Sequence, residues 1–122
     1  QIIFVEAMSQ FTFNEQGVCE NPILKTYKCI NGYEAQVNTA IVQRGLWSYA
    51  IRFQGREQGW SQPLIYHAEH CVYATKDEAF NAGLELLLHQ VKQNNDLKKY
   101  DRIVQILQDE LHPVVENQLS LF

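Results

Sequence analysis

Ile23-Leu24-Lys25-Thr26-Tyr27-Lys28-Cys29-Ile30-Asn31-Gly32-Tyr33-Glu34-Ala35-Gln36-Val37-Asn38-Thr39-Ala40-Ile41-Val42 is the stretch on which the fold turns. Two runs rich in β-branched and aromatic residues, Ile23–Ile30 and Tyr33–Val42, flank Asn31-Gly32. Asn-Gly is the strongest two-residue hairpin signal, because both turn positions need positive φ. Two-residue closure sets Ile30 opposite Tyr33, Lys28 opposite Ala35 and Thr26 opposite Val37. Tyr33, Ala35, Val37, Thr39 and Ile41 then line one face at period two, as a half-buried strand requires.

Working outward, Trp47 to Phe53 reads as the next strand, with Trp47, Tyr49, Ile51 and Phe53 on one face. A two-residue turn at Arg44-Gly45 would set Ile41 against Ser48 and mix the faces. A three-residue loop, Arg44-Gly45-Leu46, sets Ile41 against Tyr49, Thr39 against Ile51 and Val37 against Phe53, and keeps the apolar faces together. Gln54 to Pro63 is polar, holds Gly55, Gly59 and Pro63, and reads as a connection. Trp60 within it either folds over the edge of its own sheet or serves as a binding anchor. Leu64-Ile65-Tyr66 and Cys71-Val72-Tyr73 suggest a fourth, broken strand.

Thr75-Lys76-Asp77-Glu78 is a capping box that opens a helix to about Gln93. Phe80, Leu84, Leu87, Leu88 and Val91 recur at helical spacing and form the stripe expected to lie on the strands. A second helix is expected from about Leu97 to Leu111, stopped by Pro113. Upstream of the hairpin, Ile2-Ile3-Phe4-Val5 and Phe11-Thr12-Phe13 read as short strand pulses. Asn14-Glu15-Gln16-Gly17 and Glu20-Asn21-Pro22 read as turns. The predicted fold is α+β: an antiparallel meander of three to four strands packed by one helix, then a second helix and an extended tail. Residues 1–112 form a single domain in this reading, and residues 113–122 the tail.

The totals narrow the function classes. A chain of 122 residues with 46% hydrophobic and 20% charged residues is one globular domain with a core of its own. No apolar run approaches the ~18 residues of a membrane span. Ten Lys and Arg stand against fourteen Asp and Glu, a net charge of −4. That balance argues against strong autonomous binding of duplex DNA, for which basic contacts to phosphate supply most of the affinity. Lys25, Lys28, Arg44, Arg52 and Arg56 in the strand-rich half leave room for a weak nucleic-acid patch. Cys19, Cys29 and Cys71, odd in number and without paired spacing, suit free thiols in a cytoplasmic setting. The start at Gln1, without a basic flank or an apolar leader, reads as a domain cut from a longer protein.

Chemistry-bearing residues are few. His67-Ala68-Glu69-His70-Cys71 is the densest group of ligand types, but the spacing of His67 and His70 in a loop or strand matches no standard zinc pattern. Cys71 adjoins His70, yet neighbours in an extended chain point to opposite faces, which counts against a nucleophile–base pair. His89 and His112 read as helix residues, Asp77 and Glu78 serve the cap, and Asp109 and Glu110 form a solvated face. There is no glycine-rich phosphate loop and no H-E-x-x-H motif. The expectation is a domain without catalytic residues, metal or cofactor.

The most informative stretch closes the chain. Gln118-Leu119-Ser120-Leu121-Phe122 follows a helix-ending proline and carries three apolar side chains in five positions. It resembles, without departure, the Gln-Leu-Ser/Asp-Leu-Phe peptide by which bacterial polymerases, repair proteins and mismatch factors dock on the replication sliding clamp. The resemblance covers five residues and implies nothing about the fold of the rest. It implies that Gln118 fixes register, Leu121 and Phe122 fill the deep pocket, and Leu119 packs at the rim. The function expected is a non-catalytic module that tethers a DNA replication or repair protein, of a bacterium or mobile element, to the clamp. The alternatives are a structural or oligomerisation domain whose tail packs on itself or a sister chain, and a weak nucleic-acid-binding domain.

Overall fold

The computed structural model describes residues 10–30, 32–56, 58–93 and 101–111. The strand run 2–5, Leu97, Tyr100, His112 and the whole segment 113–122, Gln118, Leu119, Ser120, Leu121 and Phe122 included, lie outside the described residues.

The chain is α+β. Strands β1 (Ile23–Lys28), β2 (Glu34–Ile41), β3 (Trp47–Gln54) and β4 (Gly59–Ser61) form an antiparallel meander in that spatial order. A two-residue strand, β5 (Val72–Tyr73), pairs with the other end of β3's outer edge, through Trp47↔Tyr73 and Ser48↔Val72. Helix α1 (Lys76–Lys92) crosses one face of the sheet, and α2 (Arg102–Leu111) packs beside it against β1. No helix among the described residues is long and apolar enough to cross a membrane.

The hairpin closes differently from the two-residue expectation. β1 pairs with β2 as Lys28↔Glu34, Tyr27↔Ala35 and Thr26↔Gln36, one place removed from the register that sets Lys28 against Ala35. The closing pair is Cys29–Tyr33, whose N···O distance is 2.9 Å, so three residues make the loop, with Gly32 at φ 92° in its last position. Core matching explains the shift. Two-residue closure would turn Lys28 and Thr26 to the apolar face, whereas the observed register puts Tyr27 beside Ala35 and Phe53 there.

The β2–β3 loop does contain three residues, but they are Gln43-Arg44-Gly45, a single 3-10 turn, rather than Arg44-Gly45-Leu46. Arg44 and Gly45 both take positive φ, 65° and 72°, and Val42 N–H donates to Leu46 C=O at 2.7 Å. The register is therefore Ile41↔Trp47, Thr39↔Tyr49 and Val37↔Ile51. It is displaced by two residues, which preserves the predicted faces.

On the helix face Tyr33, Ala35, Val37, Ile51 and Phe53 are buried under Leu84, Leu87, Leu88 and Val91 of α1 and Ile103, Val104 and Leu107 of α2. Phe80 is only partly buried at the margin of this cluster. Thr75 caps α1: its hydroxyl oxygen accepts from the Glu78 amide at 3.2 Å and its hydroxyl donates to the Glu78 carboxylate at 3.0 Å. Gly83 lets α1 approach the sheet closely; a Cβ built there would lie 2.9 Å from Val37 Cγ1 and 3.0 Å from the Tyr49 ring. Helix α2 begins later than the predicted Leu97, because the Asp101 carboxylate accepts from the Ile103 amide at 3.1 Å and caps it.

A second, smaller cluster lies on the opposite face at the far end of the sheet. Ala40, Val42 and Ala50 meet Phe11, Cys19 and Leu64, with Ile41 and Trp47 at its margin. Ile41 and Trp47, expected under the helix, sit at the loop end of the sheet. There Phe11 supplies the neighbour, edge-on to Trp47 with ring centroids 5.9 Å apart. The covering loop is knitted by two asparagines. Asn14 Oδ1 accepts from the Gln16 and Val18 amides, and Asn21 bonds both Thr12 and the Gln10 carbonyl. Phe13 makes an isolated bridge to Cys19, and Val18 one to Ile65; Leu64-Ile65-Tyr66 is not a strand.

Candidate functional site

The basic residues do not converge. The pairing register places Lys28 and Arg52 on the face away from the helices, with Thr26, Glu34, Gln36, Asn38 and Gln54. Lys28 is matched there by Glu34, Nζ to carboxylate oxygen 3.9 Å. Lys25 points to the other face, 5.6 Å above the Tyr27 ring. Arg56 follows β3 and lies 5.5 Å from the Tyr33 ring. Arg44 is on the 3-10 turn at the opposite end of β2. Two cations on the open face, one of them beside a carboxylate, do not make the continuous stripe that tracks a phosphate backbone.

Trp60, placed by sequence in a connection, is instead in β4 opposite Phe53, with ring centroids 5.7 Å apart. It extends the helix-side cluster at the sheet's margin. The missed strand follows from its make-up: Gly59, Trp60 and Ser61 are too few to show alternation.

His67, His70 and Cys71 line one groove of about 320 Å³ with Tyr49, Ile65 and Leu86. Cys71 takes positive φ, 59°, and its carbonyl accepts from the Ser48 hydroxyl at 3.0 Å. The Tyr49 hydroxyl lies 3.6 Å from Cys71 Sγ; burial first, then the thiol, pushes the Tyr49 pKa up. No group of three or more His, Cys, Asp or Glu among the described residues is placed to hold a metal ion. The other thiols are less available: Cys19 is buried and Cys29 half-buried, and burial raises both pKa values. His89 is spent on a contact with Gln93 at 3.1 Å, at the end of α1.

The described body thus supplies a packed scaffold, a mostly polar sheet face and the groove beside Cys71. Leu111, the last described residue, still packs on the helix-side cluster, and the clamp-like pentapeptide begins seven positions further on. No family model, curated protein or solved structure matches the chain.

Proposed function

We propose that this domain is a non-catalytic tethering module, which attaches a DNA-metabolism protein to the bacterial replication clamp in the cytoplasm through Gln118–Phe122. The observation that carries the reading is the unbroken Gln-Leu-Ser-Leu-Phe match. The fold supports it in two ways. Ile103, Val104 and Leu107 anchor α2 in the helix-side core, so the segment that leads to the peptide starts from a helix fixed to the body. Residues 112–117 can span at most roughly 20 Å at ~3.5 Å per residue, so the peptide starts no farther than that from the end of α2. A short peptide in a groove draws its affinity from a few apolar anchors and one polar group that sets register, the composition seen here.

The test is binding of a 113–122 peptide, and of the whole chain, to a purified bacterial sliding clamp. A Kd of about tens of micromolar or tighter is expected, since ordering a short peptide in a groove consumes part of the contact energy. Leu121→Ala and Phe122→Ala should each weaken binding roughly thirtyfold, the effect of losing an anchor of about 2 kcal/mol. Absence of binding, or binding indifferent to both substitutions, refutes the proposal.

A further inference from the structure

We infer that the outer edge of β1 is a self-association surface on which a second copy of this chain adds its own β1 antiparallel. Four large apolar residues among those described are markedly exposed: Ile23 (41%), Leu24 (57%), Ile30 (107%) and Ile65 (39%). Three of these four lie on β1 or the turn that follows it. β1 is also the end strand of the sheet order, without a described neighbour on its outer side.

The register of such a pair follows from the backbone. Cys29 N–H bonds Tyr33 across the hairpin, so Ile23, Lys25 and Tyr27, at the same parity, turn their peptide groups towards β2. The N–H and C=O groups of Leu24, Thr26 and Lys28 therefore face outward. Symmetric pairing about Lys25 would oppose two ammonium groups, which is unfavourable. Symmetric pairing about Thr26 avoids every like-charge pair. It sets Leu24 of each copy against the aliphatic stem of the other's Lys28, and Lys25 against Tyr27. The latter repeats between chains the cation–ring contact already present within one. It also brings Ile23 of each copy beside Cys29 of the other. There a groove of about 480 Å³ opens between β1 and α2, lined by Cys29, Ile30 and Ile106 with Lys28 and Arg102 at its rim. Edge lysines ordinarily discourage strand addition; in this register each faces an apolar or aromatic partner.

The experiment uses the whole chain. Sedimentation or light scattering over a concentration series should show the mass rising from 14.2 kDa towards twice that value. Thr26→Pro removes an outward N–H, a change that edge strands tolerate, together with the exposed hydrogen bond that the Thr26 hydroxyl accepts from Gln36 Nε2 at 3.0 Å. It should hold the mass at the monomer value with the circular dichroism spectrum unchanged, and Leu24→Glu should do the same. With Cys29→Ser and Cys71→Ser in the background, Thr26→Cys should form an interchain disulfide, because facing residues of a hydrogen-bonded pair have Cα atoms about 5.5 Å apart. A monomer at every concentration overturns the inference. So does cross-linking through Lys25→Cys in place of Thr26→Cys, or a Thr26 amide whose slow hydrogen exchange is independent of concentration, which would mean that the chain's own residues cover the edge.

Discussion

Replacing Gly83 by alanine sets helix propensity against packing, and the structure decides which wins. In an exposed helix the change gains about 1 kcal/mol, since alanine gives up less backbone freedom on folding. Here the new methyl would lie 2.9 Å from Val37 Cγ1 and 3.0 Å from Tyr49 Cγ and Cδ1. Val37 is 1% exposed, and its β-branched side chain has little rotamer freedom. Tyr49 Cγ is the root of its ring and moves only if χ1 leaves its rotamer well or the strand shifts. Relief therefore requires such a shift or a lift of α1 from the sheet, and overpacking of this kind costs about 2–3 kcal/mol, the upper part of its usual range. The net expectation is destabilisation by about 1–2 kcal/mol, read as a lower urea midpoint at unchanged slope and a Tm roughly 4–8 °C lower. Asn81→Ala, on the exposed side of the same helix, should be neutral or stabilising by a few tenths of a kcal/mol. Val37→Ala combined with Gly83→Ala should recover about 1 kcal/mol relative to the sum of the single changes. If Gly83→Ala alone is as stable as the parent, the close approach assigned to Gly83 is wrong.

Two further outcomes follow from the cap and the buried phenols. Thr75→Ala should cost about 1 kcal/mol in urea unfolding, because it leaves the Glu78 amide without its acceptor, while Thr75→Ser should retain most of the stability. The Tyr27 hydroxyl is sealed from solvent near the Glu110 carboxylate; burial, then that carboxylate, holds its pKa above the ordinary 10.0. The folded chain keeps this proton where the unfolded chain releases it, so stability should fall as pH rises above about 10. Cys19 and Cys29, raised by burial from 9.0, begin the same fall earlier, and Tyr49 adds to it. Tyr27→Phe should flatten the decline in urea midpoint between about pH 8 and pH 11; an unaltered decline would count against a buried, proton-retaining Tyr27.

How much of this was legible depended on which signals were redundant. Helix α1 was readable nearly to the residue, because the Thr75–Glu78 cap and the Leu84, Leu87, Leu88 and Val91 stripe agree with each other. The hairpin was readable as a hairpin, but its register was not. The Asn31-Gly32 preference pointed to two-residue closure, and the stronger demand was to seat Tyr27, rather than Lys28, on the core face. For β2 and β3 the alternation determines the face but not a slide of two residues, so the turn at Gln43–Gly45 decided the pairing. β4 was obscure for want of length, and β5 showed only as Cys71-Val72-Tyr73, grouped with a Leu64-Ile65-Tyr66 run that is no strand. The second cluster was hidden because Phe11, Cys19, Leu64 and Ala50 are far apart in the chain and carry no local period. Of the candidate site residues, the five cations were visible in sequence but their dispersal was not. That depends on strand parity, which places Lys25 and Lys28 on opposite faces.

The sheet has a different companion on each side. Beneath α1 and α2 lies a large block of residues contributed by five elements. On the reverse, a modest cap is fastened mainly by Asn14, Asn21 and two isolated bridges. Such a plate need not fail all at once. The lightly fastened cap can peel while the helical side stays intact, and regions with few apolar contacts open at lower free energy than the global transition. Damage there would leave the helices still in place.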